Sequence, residues 1–121
     1  MECPICKKEY GSLHSHHRVL RKECKPLEKC ELNIIKICPF CHDFIHHDSK
    51  GYELLKKLKK EFQEELENSF YEENLSREEI KEVLKISDKP LDKLLKPLVS
   101  NNGLFAKEDV IRACMGGKIM I

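Results

Sequence analysis

Apolar residues along this chain change period from one stretch to the next, and each period predicts an element. Ile34-Ile35-Lys36-Ile37 is a short β-branched run of the kind that forms a strand. Between residues 52 and 74 the apolar positions Leu55, Leu58, Phe62, Leu66 and Phe70 recur every three to four residues, with Lys and Glu between them. That spacing predicts an amphipathic helix with one face to bury. A further helix is expected to begin at Ser76-Arg77-Glu78-Glu79. There Ser76 can cap the first turn, Glu79 can reach back to it, and Leu75 can staple to Ile80. Ile80, Val83 and Leu84 would point inward, and the pattern breaks at Ser87-Asp88. It resumes at Leu91, Leu94, Leu95 and Leu98 in a helix expected to end at Asn102-Gly103. A last short helix is predicted over Lys107 to Met115, stopped by Gly116-Gly117. The chain thus divides into a module over 1–51, a connecting helix over 52–75 and a helical segment over 76–121, an α+β arrangement.

Length and charge narrow the picture. A module of about 50 residues is close to the size at which an apolar core alone rarely suffices, so a structural metal or similar staple is expected. Net charge is +1 in 121 residues, which gives no global attraction for nucleic acid and leaves any phosphate binding to local patches. No apolar run approaches the roughly 20 residues needed to span a bilayer. With no apolar segment ahead of Cys3, the thiols are expected to be reduced and the protein cytoplasmic, without membrane contact.

The chemistry is concentrated in the first module, which holds all six histidines and six of the seven cysteines. Zinc takes four ligands in a tetrahedron, and two Cys-x-x-Cys turns can each grip it with both sulfurs. Cys3-Pro4-Ile5-Cys6 and Cys38-Pro39-Phe40-Cys41 supply that set. Cys24, Cys30 and Cys114 form no such turn and are read as small buried or loop thiols.

With the sulfurs used, the histidines need their own account. His42 and His46 are one turn apart if the segment after Cys41 is helical, so two imidazoles can hold one ion. His16 could join them from across the module, leaving positions open for water and substrate, as a catalytic metal requires. His17 would then be free to act as a base, since an imidazole with its ordinary pKa of roughly 6.5 is a competent proton acceptor near neutrality. His14 and His47 are read as surface residues.

Taken together, Cys-x-x-Cys, His16-His17, Asn33, and Cys38-x-x-Cys41-His42-x-x-x-His46 resemble the HNH endonucleases, the zinc-knuckle members of the ββα-metal nucleases. The spacings from His17 to Asn33, His42 and His46 are similar to those of the colicin-type DNases, and the resemblance spans residues 1–47. It implies a zinc-stabilised ββα-metal module. By position, His16, His42 and His46 would be the metal ligands, His17 the general base, and Asn33 the residue that orients it. Many family members have Asp where this chain has His16, which shifts the expected ion towards Zn2+, Ni2+ or Mn2+ and away from strict use of Mg2+. The loop from Arg18 to Cys24 also lacks the Pro and Gly-Gly residues common in the family. The implied activity is hydrolysis of DNA phosphodiester bonds to 5′-phosphate and 3′-hydroxyl ends.

Arg18, Arg21, Lys22, Lys25 and Lys29 follow directly and are placed to meet neighbouring phosphates. Glu79 to Ser87 resembles the first helix and turn of helix-turn-helix proteins, so Lys89 to Val99 would be the groove-reading helix, with Lys89 and Lys93 as contacts to DNA. Two function classes follow: a metal-dependent DNA endonuclease, and alternatively a non-catalytic zinc module that binds nucleic acid or protein. In either, the stripe over 52–75 is a surface through which two copies could pair.

Overall fold

The computed structural model describes residues 1–121, with five α-helices and two small antiparallel sheets. The first sheet pairs β1 (His14–His17) with β2 (Ile34–Ile37), with His14 opposite Ile37 and His17 opposite Ile34. Helix α1 (Pro39–His47) follows immediately. Proline in its first turn is compatible with a helix start, where an N–H has no partner in any case. Cys38 caps it, the sulfur accepting the Cys41 N–H at 3.3 Å. The thiolate turn and the helix start are therefore one piece of backbone. Strand, strand and helix form a ββα unit, with the helix packed against the pair.

Helix α2 (Gly51–Ser69) begins where α1 ends. The two backbones are so close that a Cβ at Gly51 would lie 2.2 Å from the Phe44 carbonyl oxygen, a distance no side chain tolerates. The next elements are β3 (Asn74–Ser76), α3 (Arg77–Leu84) and α4 (Asp88–Leu95), then β4 (Ser100–Asn101), β5 (Leu104–Ala106) and α5 (Lys107–Cys114). The second sheet has the order β3-β5-β4. The expected capping box is present, with Ser76 Oγ accepting from Glu79 N–H and Glu79 accepting from Ser76 N–H. Lys85 closes α3 in the left-handed region at φ 51°, and three residues separate α3 from α4.

Asn102-Gly103 does not end a helix. Successive φ values of 53° and 79° make it the hairpin turn between β4 and β5, a role that this dipeptide fills readily because both residues tolerate positive φ. Helix α4 has already stopped at Leu95. Pro97, which lacks the N–H that would continue the ladder, cannot extend it.

Two cores hold the chain. The smaller contains Cys3, Ile37, Cys38, Ile45 and Leu58; the larger unites α2, α3, α4 and α5 through residues such as Phe62, Leu66, Ile80, Leu91 and Val110. Val19, Cys24, Leu27 and Cys30, all from the β1–β2 connection, belong to the larger core. The module over 1–51 is therefore keyed into the helical region. Helix α2 serves both cores, Leu58 in one and Phe62 and Leu66 in the other. Its apolar stripe is used within the chain, and freeing it for a second copy would cost about 1.5–3 kcal/mol per side chain. The pairing surface expected over 52–75 is thus already covered. Cys24, Cys30 and Cys114 are buried thiols; burial pushes Cys24 up to about 11 and raises the other two. They remain protonated, in keeping with the packing role expected of them.

Candidate zinc centre and active site

The two Cys-x-x-Cys turns come together as the spacing requires. Cys3, Cys6, Cys38 and Cys41 form one cluster. Sγ–Sγ separations are 3.8 Å for both Cys3–Cys41 and Cys6–Cys38. A tetrahedron with zinc–sulfur bonds of about 2.3 Å has edges of about 3.8 Å, whereas a disulfide would need about 2.05 Å. The thiol chemistry agrees. Burial opposes ionisation of Cys38, but hydrogen bonds from Tyr10, the Cys41 backbone, and the Cys41 and Cys6 thiols draw it down to about 6. Cys41 is pushed up by burial and by its three sulfur neighbours. The four sulfurs thus compete for negative charge, and a dication is what lets all of them be thiolates. The donor set fits a structural metal such as zinc.

A second cluster draws on the same helix, one residue beyond Cys41 and a turn further on. His16 from β1 and His42 and His46 from α1 offer nitrogens all within 4.8 Å of one another. His42 Nε2 and His46 Nε2 are 3.2 Å apart. Neighbouring ligands at about 2.1 Å from a shared ion would be about 3.0 Å apart in an octahedron and about 3.4 Å in a tetrahedron. His16 is 4% exposed, and its Nε2 is buried with no hydrogen-bond partner. Left so, that atom costs about 1–3 kcal/mol. Burial first, then the charges of His46, His42 and His17, lower the His16 pKa to about 4, so the ring is neutral at physiological pH. A neutral, orphaned, inward-facing imidazole nitrogen beside two others fits a cation.

His17 is not part of that cluster, because successive strand residues point to opposite faces. Its Nε2 lies 2.7 Å from the Glu28 carbonyl oxygen. A carbonyl only accepts, so Nε2 is the donor, and in the neutral tautomer this selects, Nδ1 carries the lone pair. Asn33, 1% exposed, makes no hydrogen bond to His17. Instead its Oδ1 accepts from Val19 N–H at 2.8 Å, and its Nδ2 donates to the carbonyls of Val19 at 3.0 Å and Leu27 at 3.3 Å. Asn33 therefore fixes the loop that presents Glu28 to His17, and positions the ring through backbone rather than directly.

The basic residues divide. Arg18 is buried at 7% exposure, pairs with Glu65, donates to the Leu32 carbonyl at 2.6 Å, and lies 5.3 Å from the centre of the Phe62 ring. It ties the β1–β2 connection to α2, and the expectation that it meets DNA is corrected. Arg21, Lys22, Lys25, Lys89 and Lys93 are exposed, Arg21 with Glu28 as a partner at 3.3 Å. Lys25, Lys89 and Lys93 line one cleft together with Lys29 and Lys85. His14, read from the sequence as a surface residue, has its Nδ1 3.5 Å from His42 Nδ1. It shares a strand face with His16 two residues on, and that alternation was the signal for it. A ligating imidazole usually donates its other N–H to a fixed acceptor, and His14 is placed to receive it from His42.

No helix of the chain is long and apolar enough to cross a membrane. No protein-family model, curated protein or solved structure matches this chain. The chain brings together four sulfurs suited to a structural ion and three imidazoles suited to a second ion, and the next residue after His16, His17, is held by the Glu28 carbonyl.

Proposed function

We propose that this protein is a metal-dependent DNA endonuclease of the HNH type, hydrolysing phosphodiester bonds. The observation that carries the reading is the convergence of His16, His42 and His46, with His17 the next residue along β1 and its Nε2 at the Glu28 carbonyl. His16, His42 and His46 would hold a divalent cation, which when bound would supply Lewis-acid stabilisation of charge on the phosphate and the leaving oxygen. His17 Nδ1 takes a proton from water as the water oxygen bonds to phosphorus and the bond from phosphorus to the 3′ oxygen breaks. That oxygen leaves with the bonding pair and takes a proton from solvent to become the 3′-hydroxyl. The Glu28 carbonyl, accepting the Nε2 proton, favours the imidazolium so formed. Asn33 holds Val19 and Leu27 so that this carbonyl stays in place. Imidazole in place of a carboxylate at His16 favours Mn2+, Ni2+ or Zn2+ over Mg2+. A non-catalytic zinc module accounts for the four cysteines but gives no role to three converging imidazoles.

The end chemistry is the test. Supercoiled plasmid incubated with the protein and Mn2+ or Ni2+ should be nicked, and DNA ligase should reseal the nicks directly, because 5′-phosphate and 3′-hydroxyl are the ends it joins. Nicks that ligase seals only after end repair would contradict the mechanism.

A further inference from the structure

We propose that the cleft between the β1–β2 connection and the start of α4 is a track for the phosphodiester backbone of DNA, built jointly by both parts of the chain. Lys25 and Lys29 form one wall, and Lys85, Lys89 and Lys93 the other, around about 440 Å³. Glu28 is the one acidic residue in the lining, and Arg21 is its partner. None of the five lysines makes an ion pair within the chain, whereas Lys59 and Lys81 elsewhere are paired with Glu23 and Asp88.

Charge on α4 is segregated. Its acids are held away from the cleft, Asp88 by Lys81 at 2.6 Å and Arg77 at 3.2 Å, and Asp92 by Arg77 at 2.7 Å. The hydrogen bond and charge of Lys81 lower the Asp88 pKa, so it is ionised and satisfied on the α3 side. Lys89 and Lys93 are left uncompensated on the cleft side. A row of unpaired ammonium groups attracts a polyanion by releasing its counterions, and requires no base sequence.

The cleft also borders the loop that holds His17. Glu28 lines it, and the Glu28 carbonyl is the acceptor for His17 Nε2. A strand lying along the lysines would run past the loop that holds the His17 ring, so the second core would help to position substrate for the first. The identity of the polyanion as DNA rests on the nuclease reading; the charge and shape of the cleft do not.

The test is binding of a short fluorescent duplex to the His17→Ala protein, measured by anisotropy across a salt series. Adding Lys29→Gln and Lys89→Gln should weaken binding about tenfold or more and lower the slope of log affinity against log salt by about two. Both side chains are exposed and unpaired, and unchanged zinc content and melting temperature would show that the fold is intact. Lys8→Gln with Lys57→Gln, exposed lysines outside the cleft, should leave affinity within about twofold. Unchanged binding in the cleft variant, an equal loss in the control, or no duplex binding at any salt would overturn the proposal. If the unsubstituted protein cuts nothing yet binding depends on the cleft lysines, the nuclease reading fails and the track stands. If it cuts and the cleft variant binds normally, the track alone fails.

Discussion

Cys38→Ser should release the structural ion and unfold the ββα unit. Cys38 holds several parts of that unit at once. Its sulfur is one corner of the four-sulfur cluster, caps α1 by accepting the Cys41 N–H, and belongs to the small core beside Cys3, Ile37, Ile45 and Leu58. Two of those five core residues are themselves sulfur ligands, so little apolar packing remains once the ion is lost. Structural zinc contributes on the order of 10–16 kcal/mol in small modules, comparable with the whole stability of a typical domain at about 5–15 kcal/mol. Helices α2 to α5, with a core of their own, should keep most of their helicity. Elemental analysis should find no zinc, and hydrogen exchange should find residues of β1, β2 and α1 unprotected. A zinc-free Cys38→Ser protein with those segments fully protected would defeat the assignment.

His17→Ala should separate chemistry from binding. The side chain contributes no ligand to either cluster and is only half-buried, so its loss leaves zinc, fold and DNA affinity in place. Cleavage should fall by about 10²–10⁴, the range for removing a general base. Asn33→Ala should also slow cleavage, but with a cost in stability. It strips hydrogen-bond partners from the Val19 N–H and the Val19 and Leu27 carbonyls in the interior, at about 1–3 kcal/mol for each group left unsatisfied. A His17→Ala protein cutting at the parent rate would remove His17 from the base role and leave the resemblance to HNH nucleases without catalytic content.

Local signals were legible in the sequence and non-local ones were not. β2 falls on Ile34–Ile37, α1 places His42 and His46 one turn apart, and the Ser76–Glu79 capping box forms, because each depends on residues within a few positions of one another. The convergence of Cys3 and Cys6 with Cys38 and Cys41 was legible too, since metal chemistry demands it at long range. Arg18 was misread because its partner Glu65 is 47 residues away, and a charged residue in a basic run carries no mark of burial. The stripe of α2 was open to misreading because periodicity shows that a face is buried without showing by what. β3, β4 and β5 have two or three residues each, too few to show alternation. Asn102-Gly103 then passed for a helix end, since both dipeptide roles use positive φ.

The most direct test counts ions and cuts together. Protein carrying zinc on its four cysteines should bind one further Mn2+ per chain, and nicking of supercoiled plasmid should rise with that occupancy. His16→Ala should keep the zinc, lose the second ion and lose nicking, because it removes the buried nitrogen that completes the imidazole set. Manganese binding and nicking that survive His16→Ala unchanged, or nicking that needs no added ion, would contradict the account.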